Sequence, residues 1–101
     1  MTMYLGSYRF DGDPQRLLAG YDRMIAAFPS DALALHLCLS DDSGITVLDS
    51  CPTRSEMESF AASPEFAAAL AAAGLPTPVL RPVGEIHQVV VDPARISEVA
   101  H

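Results

Sequence analysis

The residues that could do chemistry in this chain are few, and most fall in two strand-like stretches. His36 stands in ALALHLCLS, where every second residue from Leu33 to Leu39 is leucine, on the side facing away from them. Asp49 stands in ITVLDSC, just beyond the turn sequence Asp41-Asp42-Ser43-Gly44. A hairpin closed by that turn opposes His36 to Asp49, Leu37 to Leu48 and Cys38 to Val47. A carboxylate across the ladder would set the imidazole tautomer and make His36 a candidate general base oriented by Asp49. The plainer reading is a buried or interfacial histidine with a structural partner. A one-residue slip in register would abolish the pairing.

His87 interrupts the apolar run EIHQVVV. An ionisable group placed there must find a partner or a wet cavity, because leaving it buried and unpaired costs about 1–3 kcal/mol. With His36 and Asp49 it completes the candidate catalytic set. Tyr4, Tyr8 and Tyr21 put three phenols on the first strand and the first helix. Such phenols usually pack into a core with the hydroxyl at an edge. The functional alternative has Tyr8 or Tyr21 bonding a ligand between sheet and helices. Arg9 would neutralise an acidic ligand, or else pair on the surface with Asp11.

Asp41, Asp42 and Asp49 lack the spacing of a calcium loop. Cys38 and Cys51 have no Cys-x-x-Cys spacing, so they read as reduced, small hydrophobic residues rather than zinc ligands. No phosphate-cradling glycine motif, G-x-S-x-G elbow or H-E-x-x-H occurs. Neither a metal nor a cofactor is expected.

Composition narrows the class. At 101 residues, half of them apolar, the chain is one domain with a folded core. The net charge of −7, with six arginines and no lysine, argues against nucleic acid or an anionic membrane as partner. No apolar stretch approaches the ~20 residues needed to span a bilayer, and no basic-then-apolar leader opens the chain. The expected location is the cytoplasm.

The positioning elements follow from periodicity. Residues 3–10 read as a strand, with Gly6, Tyr8 and Phe10 on one face and Leu5, Ser7 and Arg9 on the other. Asp13 and Pro14 open a helix whose stripe is Leu17, Leu18, Tyr21, Ile25 and Phe28, closed by Pro29-Ser30-Asp31. Residues 32–39 and 45–51 form the hairpin. Thr53-Arg54-Ser55-Glu56 matches a capping box, and Ser63-Pro64 restarts the chain, giving helical pieces over 54–62 and 64–73. Gly74 suits the left-handed position after them, with Leu75 folding back on Leu70. Pro76, Pro78 and Pro82 keep the next segment extended and out of a central ladder. The last strand is expected at 84–91, and Asp92-Pro93 opens a short helical tail ending at His101.

This order predicts an α+β, ferredoxin-like βαββαβ domain spanning 1–101. Its four-stranded antiparallel sheet runs 4-1-3-2, with the helices on one face. The other face is left for a partner, most simply a second copy. His36 and His87 then lie on opposite edges and meet only across a dimer.

On the passages TVLDSCPTRSEMESFAASPEF and EIHQVVV, and on the element order from Tyr4 to Val91, the chain resembles the dimeric α+β barrel superfamily. That superfamily includes the antibiotic-biosynthesis-monooxygenase-like proteins. The resemblance implies a homodimer paired sheet to sheet, with a ligand cleft between sheet and helices in each subunit. Asparagine and tryptophan are associated with that cleft in its cofactor-free monooxygenases and haem-degrading members. This chain contains neither residue, and His87 remains as the haem-ligand candidate.

Two functional readings result. The first is a protein binding a small apolar or aromatic molecule in the cleft, acting as a cofactor-free monooxygenase or isomerase. The second is a non-catalytic dimeric binding or accessory protein. An enclosed apolar cavity of roughly a few hundred Å³ with convergent polar groups supports the first, and a cleft filled by Leu, Phe and Met supports the second.

Overall fold

Alternation along the strands builds the sheet. The computed structural model describes residues 2–28 and 34–96. Its elements are β1 (Tyr4–Asp11), α1 (Pro14–Ala26), β2 (His36–Asp41), β3 (Gly44–Cys51), α2 (Arg54–Ala61), α3 (Pro64–Ala73), β4 (Val79–Glu85) and α4 (Pro93–Ile96). The strands form one antiparallel sheet in the order β2-β3-β1-β4. This is the expected ferredoxin-like α+β arrangement.

The β2–β3 hairpin takes the expected register, with His36 opposite Asp49, Leu37 opposite Leu48 and Cys38 opposite Val47. Only Asp42 and Ser43 lie between the strands, since Asp41 still pairs with Gly44. β2 begins at His36, later than residue 32. The ladder nevertheless reaches back to Leu35, whose carbonyl accepts from the Ser50 amide at 3.0 Å. Pro29-Ser30-Asp31, expected to close α1, lies outside the described residues, as do Ala32 and Leu33.

The last strand departs from expectation. Pairing with β1 runs over Val79–Glu85 instead of 84–91. Pro82 is tolerated because β4 is an edge strand and needs hydrogen bonds on one side only. Gly84 opposes Leu5 and Pro82 opposes Gly6, so Val83 is an extra, bulged residue. The Ile86 amide makes one further bond to the Met3 carbonyl, at 2.7 Å. Gln88 to Val91 run on outside the sheet and are exposed. The helical tail is observed over Pro93–Ile96; residues 97–101 are outside the described part.

The helices start where the caps say. The side chains of Asp13, Thr53 and Ser63 accept from the amides of Arg16, Glu56 and Phe66 at 3.2, 3.1 and 3.2 Å. Each thereby satisfies a donor with no intrahelical partner. α3 ends on Gly74, whose φ of 74° is left-handed, and Leu75 donates back to the Leu70 carbonyl at 2.9 Å. The Arg23 guanidinium donates to the Ala73 carbonyl at 2.7 Å, bringing a cation from α1 to the negative end of α3.

The core lies between the sheet and these helices. Tyr8, Phe10, Ile45 and Val47 from the sheet meet Leu17 and Met24 of α1, Phe66 and Leu70 of α3, and Leu75. Met57 is fully buried over Gly6. A Cβ at Gly6 would occupy the space of the Met57 sulfur, so the strand must be bare there for α2 to dock. On the other sheet face Leu37, Leu39, Val79 and Val83 are exposed.

Candidate functional site

The hairpin register brings the acid–base pair together. His36 and Asp49 project from paired positions toward the helices, and His36 Nδ1 lies 3.4 Å from Asp49 Oδ1. Their side chains are only 15% and 17% exposed. Tyr21 of α1 lies over the same spot, with its hydroxyl 2.6 Å from His36 Nε2 and its ring within 16° of the imidazole plane. A carboxylate can only accept, so in the neutral ring Nδ1 carries the hydrogen and donates to Asp49. Nε2 then accepts from the Tyr21 hydroxyl. The result is an ordered line from phenol through imidazole to carboxylate.

That line changes what His36 can offer. Both ring nitrogens are already engaged within the chain, the shorter bond being the one to Tyr21. The group left with free acceptor capacity is the Asp49 carboxylate. Burial pushes the Tyr21 phenol up to about 12, with Cys38, Asp22 and Asp49 adding negative potential. Tyr21 therefore remains a proton donor to His36 across the neutral range.

His36 and Asp49 face a small, partly open cavity of about 50 Å³ between sheet and helices. Its sheet wall is completed by Tyr8, Phe10 and Val47; Met24 and Ile25 close it from α1, with Phe28 just past the end of that helix, and Phe60 and Phe66 from the other helices. Phe60, at 36% exposure, lies at the surface. The lining is aromatic and aliphatic apart from Tyr8, His36 and Asp49.

Tyr8 is 4% exposed, and its hydroxyl has no hydrogen-bond partner among the described residues. A buried hydroxyl left unmet costs about 1–3 kcal/mol. Burial, then the potentials of Cys51 and Asp49, hold its phenol well above the usual tyrosine range. Its ring packs edge-on against Phe66 at 5.6 Å. These two rings also line a wider groove of about 430 Å³ running along α2, α3 and the approach to β4. Besides Tyr8, the polar residues on that groove are Glu58 and Thr77, and no acid–base pair faces it.

The other candidates lie elsewhere. Arg9 is on the opposite sheet face, where it donates to Asp41 at 2.8 Å, to Asp11 at 3.0 Å and to Ser43 at 2.7 Å. Its hydrogen bond holds the Asp41 carboxyl well below the usual carboxylate range. Arg9 is therefore not a residue of the cavity. His87 is exposed, beyond the end of β4, beside grooves that include Leu5 and Leu35. It does not meet His36 within the subunit. Cys38 and Cys51 are free thiols, and burial pushes both up from the ordinary thiol value.

The Tyr21–His36 contact is the feature that sequence reasoning missed. Tyr21 is in the apolar stripe of α1, but nothing in the stripe says which strand its hydroxyl will reach. Among the described residues no group of three or more His, Cys, Asp or Glu could hold a metal, and no helix is long and apolar enough to cross a membrane. Comparison with protein-family models, curated protein sequences and solved structures finds no match to this chain.

Proposed function

We propose that this chain binds a small, largely apolar molecule in the cavity between sheet and helices, with Tyr8 and Asp49 as its polar contacts and His36 behind Asp49. The observation that carries the reading is the His36–Asp49 pair facing an otherwise apolar, partly open cavity. A buried acid–base pair in a concave apolar site is a recurrent mark of a binding or catalytic centre. The assembly belonging to this reading is a homodimer paired through the sheet face that carries Leu37, Leu39, Val79 and Val83.

Of the two chemistries the dimeric barrel resemblance suggests, isomerisation suits these groups better than oxygenation. A carboxylate backed by His36 and Tyr21 can take a proton from one atom of a ligand and return it to another. The proton is conserved, no oxidant enters, and the hydrogen-bonded line spreads the charge in between.

A second reading has its own observation. A cavity of about 50 Å³ has room for only about three to five heavy atoms, taking ~10–15 Å³ for each water-sized centre. The rest of the cleft is filled by Phe, Met and Leu side chains, as a non-catalytic dimeric accessory protein would have it.

Ligand-observed NMR with a set of neutral small fragments separates the two. Binding to the unaltered protein and its loss in Ile25→Phe, which fills the cavity from its half-buried α1 wall, supports the binding reading. Fragments that bind both proteins equally, or neither, leave the accessory reading standing.

A further inference from the structure

We infer that the cavity selects a neutral ligand bearing a hydrogen-bond acceptor, such as a ketone, aldehyde or ester carbonyl, which the Tyr8 hydroxyl engages, and that it rejects anions. This deepens the binding reading proposed above and rests on it. Tyr8 is buried on the cavity wall with a hydroxyl that lacks a partner among the described residues. No other polar side chain on the wall has a donor to spare: both nitrogens of His36 are engaged, by Tyr21 and Asp49, and the Asp49 carboxylate only accepts. The Tyr8 hydroxyl hydrogen is thus the unspent donor of the site. A carbonyl oxygen is its natural complement, since it accepts without bringing a charge into an aromatic enclosure.

The sign of the charge follows from the same lining. Its one carboxylate, Asp49, repels an anion, and no arginine or lysine is among the lining residues. Arg9, the cation nearest in sequence to Tyr8, is on the opposite sheet face and bound to Asp41 and Asp11. Burial also keeps Tyr8 protonated, so it acts as a donor throughout the neutral range. An ammonium group would satisfy Asp49 but has no acceptor for the Tyr8 hydrogen.

Four probes of equal heavy-atom count, each small enough for the cavity, test this: acetone, isobutane, isopropylammonium and acetate. Each is titrated into the protein and into Tyr8→Phe, with binding read from amide chemical shifts. Acetone should bind about tenfold more tightly than each of the others, and Tyr8→Phe should erase that margin while leaving isobutane within about twofold. Tighter binding of acetate or isopropylammonium, or an acetone preference that survives Tyr8→Phe, overturns the inference. If isobutane and acetone both fail to bind, it is the cavity reading itself that falls. Should Tyr8→Phe fail to fold, the Tyr8 Cζ resonance of the unaltered protein decides. It must move with acetone and stay still with isobutane.

Discussion

Tyr21 does two jobs with one side chain: its ring covers the end of the hairpin and its hydroxyl orients His36 from the nitrogen opposite Asp49. Burying that hydroxyl has a measurable consequence. The folded protein holds this phenol at about 12, against 10.0 for an ordinary tyrosine. A group whose value rises on folding contributes stability that is complete below the unfolded value and disappears as pH climbs through the folded one. Between pH 10 and about 12 the protein should therefore lose stability, and Tyr21→Phe should make that loss shallower, the buried Tyr8 phenol supplying the remainder. Urea midpoints measured across this window check it; an unchanged slope in Tyr21→Phe would show that the phenol is not held buried. The His36–Asp49 half of the line was legible beforehand, because a turn at Asp41-Asp42-Ser43-Gly44 opposes the two residues and the leucine alternation puts both on the same face. The Tyr21 half was not, because the helix stripe records which side is apolar and not which strand lies beneath it.

At the scale of the elements, local signals and their outcomes agree wherever the physics is local. Asp13, Thr53 and Ser63 sit at helix starts because their short side chains reach an orphan amide in the first turn. β4 broke the pattern. The run Val89-Val90-Val91 has strand propensity, but propensity only describes fitness for a half-buried pleated surface. The ladder instead took Val79–Glu85 with its proline, because an edge accepts one. The meeting of β1 with α2 makes the sharpest demand on sequence. Gly6→Ala should destabilise the fold by about 1–3 kcal/mol, since the added methyl displaces the fully buried Met57. Denaturant unfolding reads this directly. Met57→Ala in the Gly6→Ala background should recover part of the overpacking cost, whereas a neutral Gly6→Ala would show that α2 docks more loosely than described.

At the scale of the whole molecule, the helices cover one face of the sheet and leave the other with exposed leucine and valine, at 44% and 50% for Leu37 and Leu39. Apolar side chains grouped this way ask for a cover. With the proposed homodimer, light scattering should give twice the chain mass, and Leu37→Glu with Leu39→Glu should halve it while leaving the subunit fold intact. A single-chain mass for the unaltered protein at micromolar concentration would sink the assembly. The element order, the hairpin register, the caps and the two faces of β1 were written in residues a few positions apart, so the chain alone determined them. The partner of His36 Nε2, the edge that became β4 and the unmet hydroxyl of Tyr8 were decided only when distant segments packed. Each depends on which side chains compete for one volume between sheet and helices, and no periodicity along the chain encodes that competition.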